Sequence, residues 1–221
     1  DHRNLPLDGQ GWVQSLRPGQ VARTFLIGGE QPHVTGRFTV VYEGRGEMRY
    51  HGRIAHLEES AGRATFDLSG TDGLYLEIHA TAVNDPMRHI RVFPPGGSCA
   101  GAPLSACLQH SECPAVEDAE PRCVPFEETY AEQPFHPTFL SEVAPFAVLR
   151  FMDWQDTNRM RVLTDGGEEA HPIRTSAQLP VRASARWRPV PVDVMVDLAN
   201  LLDADPWFCM PPLADDELVR G

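Results

Sequence analysis

The chain contains no lysine. All 19 of its basic residues are arginine, set against 31 acidic residues. A coding bias toward GC-rich codons accounts for this without any functional demand. The net charge of −12 and a pI near 5.1 exclude nucleic acid and anionic membranes as partners, because an acidic surface repels both. Long apolar runs are missing too. No stretch of about 18 apolar residues occurs, so no membrane span is expected. There is no P-loop, no G-x-G-x-x-G after a strand and no G-x-S-x-G, which removes the common nucleotide sites and the activated serine. No cofactor is implied. The nine histidines form no H-E-x-x-H or H-x-H, so spacing alone points to no metal. No internal repeat is visible.

What is present is an ordinary globular composition. The 221 residues are 42% hydrophobic and 23% charged, enough for one large domain or two small ones. Four of the five cysteines, Cys99, Cys107, Cys113 and Cys123, crowd into one Pro- and Ala-rich segment. Their spacings lack the C-x-x-C closeness of a zinc site, so two disulfides stapling a loop are expected. Three connectivities are open, and Cys99–Cys107 with Cys113–Cys123 is the most local. Cys209, inside an apolar stretch, reads as a buried free thiol. Disulfides and a chain that begins at Asp1 without Met suggest a leader already removed and a location outside the cell.

Residues 1–97 read as all-β. Short apolar runs recur about every ten residues between glycine-containing turns: Val21–Ile27, Gly36–Glu43, Glu47–His51, Arg53–Leu57, Arg63–Leu68, Leu74–Ala80 and His89–Phe93. Their period-2 alternation predicts an antiparallel β-sandwich. Pro94-Pro95-Gly96-Gly97 marks a boundary. Residues 98–137 form the disulfide-stapled linker, with acidic stretches read as solvated surface. Residues 138–221 form a third segment. There Phe146–Met152 reads as a buried strand. Pro191 fits the first turn of a helix in which Met195, Leu198, Ala199 and Leu202 recur at i, i+3, i+4 and i+7, an amphipathic stripe, and Asp203–Pro206 ends it. A second buried strand leads to Met210–Pro212, and Ala214–Val219 begins another helix. Strand, crossover helix and strand make a βαβ unit with parallel strands. The fold expected is an N-terminal antiparallel β-sandwich followed by the opening βαβ units of a (β/α)8-type barrel.

Ligands in such folds bind at the carboxyl ends of the strands. Asp153, Trp154 and Asn158 stand at one such end. An indole stacks on the C–H faces of a pyranose, and a carboxylate accepts its hydroxyl hydrogen bonds. Packing and turn-capping are the plain alternatives for the same two residues. Arg150, inside the strand, requires a paired carboxylate if buried. The long connection from Gln155 to Pro189 is of a length that is functional or disordered. It holds Asn158, His171, several arginines and Trp187, which offers a second stacking surface or simply pins the loop. Glycoside hydrolysis uses two carboxyl groups about 5–9.5 Å apart; Asp153 fits one role, and no residue is identifiable as its partner.

LRFMDWQDTN together with PVDVMVDLANLLDADPWFCMPPLADDELVR, that is Leu149–Asn158 and Pro191–Arg220, resembles a group of large secreted bacterial proteins. These are described as cellulose-binding or cellulase-like, with a β-sandwich followed by a glycoside-hydrolase-like (β/α)8 barrel. The resemblance covers roughly 40 residues, and a His is expected in similar sequences where Pro212 stands. It implies a polysaccharide target and a secreted or cell-surface protein. Only the first part of a barrel of about 250 residues would fit here. The expectation is therefore that the barrel continues beyond Gly221, or that a partner chain or self-assembly completes it. The readings are a glycoside-hydrolase-like protein, if the chain continues, or a non-catalytic polysaccharide-binding or assembly protein.

Overall fold

The computed structural model describes residues 5–28, 35–70, 73–115, 120–157, 162–163, 169–170, 173, 175–211 and 213–220. Asn158, His171 and Pro212 lie outside the described residues. The chain divides into two compact units, Asp1–Ser141 and Glu142–Gly221.

The first unit is built from β1 (Ala22–Ile27), β2 (Gly36–Glu43), β3 (Gly46–His51), β4 (Ile54–Ser60), β5 (Arg63–Leu68), β6 (Leu74–Thr81) and β7 (Arg88–Phe93). They form two antiparallel sheets, ordered β1-β6-β3 and β4-β5-β2-β7. Alternation decides which side chains are buried. In β5, Ala64, Phe66 and Leu68 are buried, while Arg63, Thr65 and Asp67 point the other way. Phe38 stands opposite Phe66 in the ladder, and their rings stack at 5.7 Å. Tyr50 of β3 packs on Phe66 at 5.2 Å. With Val40, Met48, Leu74, Leu76 and Met87 they make one continuous apolar core. Fully burying a side chain such as Phe66 contributes about 1.5–3 kcal/mol.

The cysteine segment follows as β8 (Gly97–Cys99), β9 (Ala102–Cys107) and β10 (Cys123–Pro125), ordered β10-β8-β9. The disulfides are Cys99–Cys113 and Cys107–Cys123, so the most local pairing is not the one formed. The β8–β9 hairpin sets Cys99 opposite Ala102 and Cys107 opposite Gly97, so these two cysteines are not ladder partners. The sheet curls instead, bringing Cys107 and Cys123 of its two outer strands to a Cα separation of 5.8 Å. Gly97, on the middle strand, permits the curl. A Cβ there would lie 1.9 Å from the Val124 carbonyl oxygen. Two helices complete this part of the chain, α1 (Phe126–Thr129) and α2 (Pro137–Val143).

The second unit contains β11 (Val148–Arg150), β12 (Val162–Leu163), β13 (Glu169–Ala170), α3 (Val192–Leu202), β14 (Asp205–Trp207) and α4 (Asp216–Arg220). Helix α3 buries Val194, Met195, Leu198 and Ala199. Pro191 immediately precedes it, where its missing N–H costs nothing. Asp203 ends it in the left-handed conformation, φ 50°, and Ala204 N–H closes back on the Ala199 carbonyl at 3.0 Å.

The expected architecture is overturned. Among the described residues the chain forms a β-rich set of small, mostly antiparallel sheets, not a β-sandwich followed by the opening of a (β/α)8-type barrel. Helix amounts to 18%, too little for a regular alternation with strands. β11 and β14 do pair in parallel, but each has three residues. The apolar run Phe146–Met152 misled the reading. Phe146 and Val148 are exposed and only Phe151 of that run is buried. The stretch after α3 likewise yields a three-residue exposed strand, not a buried one, and Cys209 is a half-buried free thiol. A short apolar run carries no information on whether a second layer exists to cover it.

Candidate functional site

The residues singled out for sugar binding fall in the second unit. Phe151 directly follows β11, and its ring packs against Trp154 at 5.5 Å and Phe208 at 5.6 Å. The chain then turns tightly. Gln155 N–H returns to the Phe151 carbonyl at 2.9 Å, and Asp156 takes a left-handed conformation, φ 52°, which Asp tolerates better than most residues. The buried Gln155 side chain accepts the Cys209 N–H at 2.5 Å. That bond ties the turn to the segment after β14.

The far end of the long connection comes back to this turn. Val190 N–H donates to the Trp154 carbonyl at 2.8 Å. Two residues earlier, Arg188 grips Asp156, its Nε donating to Oδ2 at 2.9 Å and Nη2 to Oδ1 at 3.2 Å. Asp156 is buried, so this pairing supplies the charge compensation its desolvation requires. Trp187 Nε1–H donates to the Arg182 carbonyl at 3.3 Å, which fixes the indole while leaving it 40% exposed. Arg182 in turn bridges Asp193 and Asp197 on the first turns of α3.

The outcome is an open cleft of about 440 Å³ lined by Asp153, Trp154, Asp156, Trp187, Arg188 and Val190. That volume is within the range of small-ligand sites. Asp153 is exposed. Three of the predicted residues, Asp153, Trp154 and Trp187, therefore share one wall-and-floor arrangement. Arg150 does not join them. It is exposed, with its guanidinium over the Trp207 ring at 5.0 Å. Asp156 and Arg188 belong to the cleft and were missed by sequence reading, because 32 residues separate them.

A second cluster of functional groups lies in the first unit, on the outer face of the β1-β6-β3 sheet. Glu77, on the central strand β6, stands opposite Arg23 of β1 and Arg49 of β3. Arg23 Nε donates to Glu77 Oε1 at 2.6 Å. The other carboxylate oxygen, Oε2, accepts from His79 Nε2 at 2.8 Å and from His51 Nε2 at 3.0 Å. The His51 ring lies flat against Tyr75, centroids 4.5 Å apart, and Arg23 covers the same Tyr75 ring at 5.0 Å. Glu77 is buried although it faces outward. Hydrogen bonds from His79 and then Arg23, with a lesser one from His51, hold its carboxyl down to about 2 against the opposing effect of burial.

No protein-family model, curated protein or solved structure matches the chain.

Proposed function

We propose that this is a secreted, non-catalytic carbohydrate-binding protein whose second unit takes up a segment of polysaccharide in the cleft between Trp154 and Trp187. The observation that carries the reading is the meeting of two indoles, an exposed carboxylate and a carboxylate–guanidinium pair in one open cleft. Indole faces stack on the apolar faces of sugar rings, and planar charged groups hydrogen-bond paired hydroxyls. Two disulfides in the first unit fit an oxidising location. The resemblance of 149–158 and 191–220 to cellulose-binding proteins points the same way.

Binding is favoured over hydrolysis by the state of the cleft's carboxylates. Asp156 has both oxygens hydrogen-bonded to Arg188, so neither is free to meet a sugar or a water. Hydrolysis needs one carboxyl to give up a proton and another to attack or activate water.

The test is affinity electrophoresis of the intact chain through gels containing soluble cellulose derivatives, xylan or mixed-linkage glucan, with reducing-sugar assays alongside. Retardation on at least one polysaccharide is expected, with Trp187→Ala and Trp154→Ala each weakening it about tenfold, the loss of one stacking platform. Migration unchanged on every polysaccharide, or release of reducing ends that Asp153→Ala abolishes, overturns the proposal.

A further inference from the structure

We propose that His51, Glu77 and His79 form a binding site for a divalent transition-metal ion of the zinc type. The site lies in the other unit from the sugar cleft and does not depend on it. Its three ligand atoms, two imidazole Nε2 and one carboxylate Oε2, all lie within 4.8 Å of one another. In a tetrahedral zinc site, bonds of about 2.0–2.1 Å place neighbouring ligand atoms about 3.3 Å apart. The present separations of 2.8 and 3.0 Å from Oε2 therefore need to open by only roughly half an ångström.

The surroundings pre-position the ligands. Glu77 and His79 are two apart on one strand and so project from the same face. His51 is opposite Tyr75 on the adjacent strand, one pair along, and its stacking on Tyr75 fixes the ring plane. Arg23 occupies Oε1 and leaves Oε2 as the single oxygen aimed at both imidazoles. Such a partner behind a carboxylate ligand is how metal sites orient their donors. The imidazoles bind through Nε2 as neutral rings, their proton passing to Nδ1 through solvent.

The donor set chooses the ion. Two nitrogens and one oxygen suit zinc, cobalt, nickel or copper, whereas calcium and magnesium prefer all-oxygen shells. Arg23 offsets the negative charge of Glu77, which disfavours hard cations further. The His51 and His79 side chains are 35% and 22% exposed, so the fourth position faces solvent and takes water or an external ligand. Three protein ligands with an open fourth position define an accessible zinc site, distinct from the closed four-ligand structural kind.

The experiment uses the full chain stripped of metal by chelator, titrated with Zn2+ by calorimetry and with Co2+ by visible absorption. One saturable equivalent is expected, with the intense Co2+ bands of low coordination number. His51→Gln and His79→Gln should each weaken binding by at least roughly tenfold, the smallest effect that loss of even an outer-shell partner produces. His56→Gln, which alters a histidine paired with Asp67 outside the cluster, should leave it unchanged. Far-ultraviolet circular dichroism verifies folding of each variant, and if His51→Gln unfolds, His79→Gln carries the same test. Absence of saturable binding, or one-equivalent binding that survives His79→Gln in a folded protein, overturns the proposal.

Discussion

The interleaved disulfides allow a quantitative prediction. Cys99–Cys113 and Cys107–Cys123 span 14 and 16 residues. Closing a loop of this size removes chain entropy from the unfolded state worth about 3 kcal/mol at 25 °C. The two loops share residues 107–113, so the second closure acts on a chain already constrained by the first. Cys99→Ala/Cys113→Ala and Cys107→Ala/Cys123→Ala should each lower the stability of the first unit by about 3 kcal/mol, and all four changes together by less than about 6 kcal/mol. Hydrogen exchange reads this out where it matters. Amides of β2 and β5, in the middle of the four-stranded sheet, exchange only when the unit opens. Each paired variant should speed their exchange on the order of 100-fold. An acceleration below about fivefold for either pair, roughly 1 kcal/mol, would show that the cysteine segment is not cooperatively joined to the sheets.

Two further outcomes follow from particular side chains. The Tyr50 hydroxyl is buried and finds no hydrogen-bond partner among the described residues, and burial first of all pushes its ionisation far above the ordinary phenol value. Tyr50→Phe keeps the ring against Phe66 and removes the orphaned hydroxyl, so urea denaturation should show a gain of about 1 kcal/mol; a loss of that size would mean the hydroxyl is satisfied after all. Arg63 donates to both oxygens of Glu127 at 2.8 and 2.9 Å, and these bonds hold the Glu127 carboxyl below its ordinary value against the effect of burial. A depressed folded-state value gives stability that is full above the ordinary glutamate range, near 4.3, and is lost as pH falls below it toward the folded value. The native protein should therefore exceed Glu127→Gln by about 0.5 kcal/mol at pH 7, with the gap closing in urea melts below about pH 4; a gap independent of pH would refute the assignment.

The sequence was legible where a local rule decides the structure. Alternation and turn glycines located β1–β7 to within a residue or three, and the stripe Met195, Leu198, Ala199 and Leu202 located α3. It was opaque where the outcome depends on which strands meet. The pairs Cys99–Cys113 and Cys107–Cys123 reflect how the three short strands and the segment between them fold together, which spacing does not encode. The run FAVLRFM has the composition of a buried strand, but burial needs a covering layer, and exposed Phe146 and Val148 have none among the described residues. At the cleft, Asp153, Trp154 and Trp187 were singled out from the sequence and share one lining, whereas the Asp156–Arg188 pair depends on the chain returning through Val190 to Trp154. His51, Glu77 and His79 show the same limit. Glu-x-His on one strand is a weak pattern, and the third member, 26 residues before Glu77, arrives through β3–β6 pairing alone.

The crossing of the two disulfides has a consequence for proteolysis. Had Cys99 joined Cys107 and Cys113 joined Cys123, one cut between 107 and 113 would free the two halves of the protein from each other. With the bonds formed here, every single cut between Cys99 and Cys123 falls inside at least one covalent ring. A protein nicked once in this segment therefore remains one molecule as long as its surroundings are oxidising.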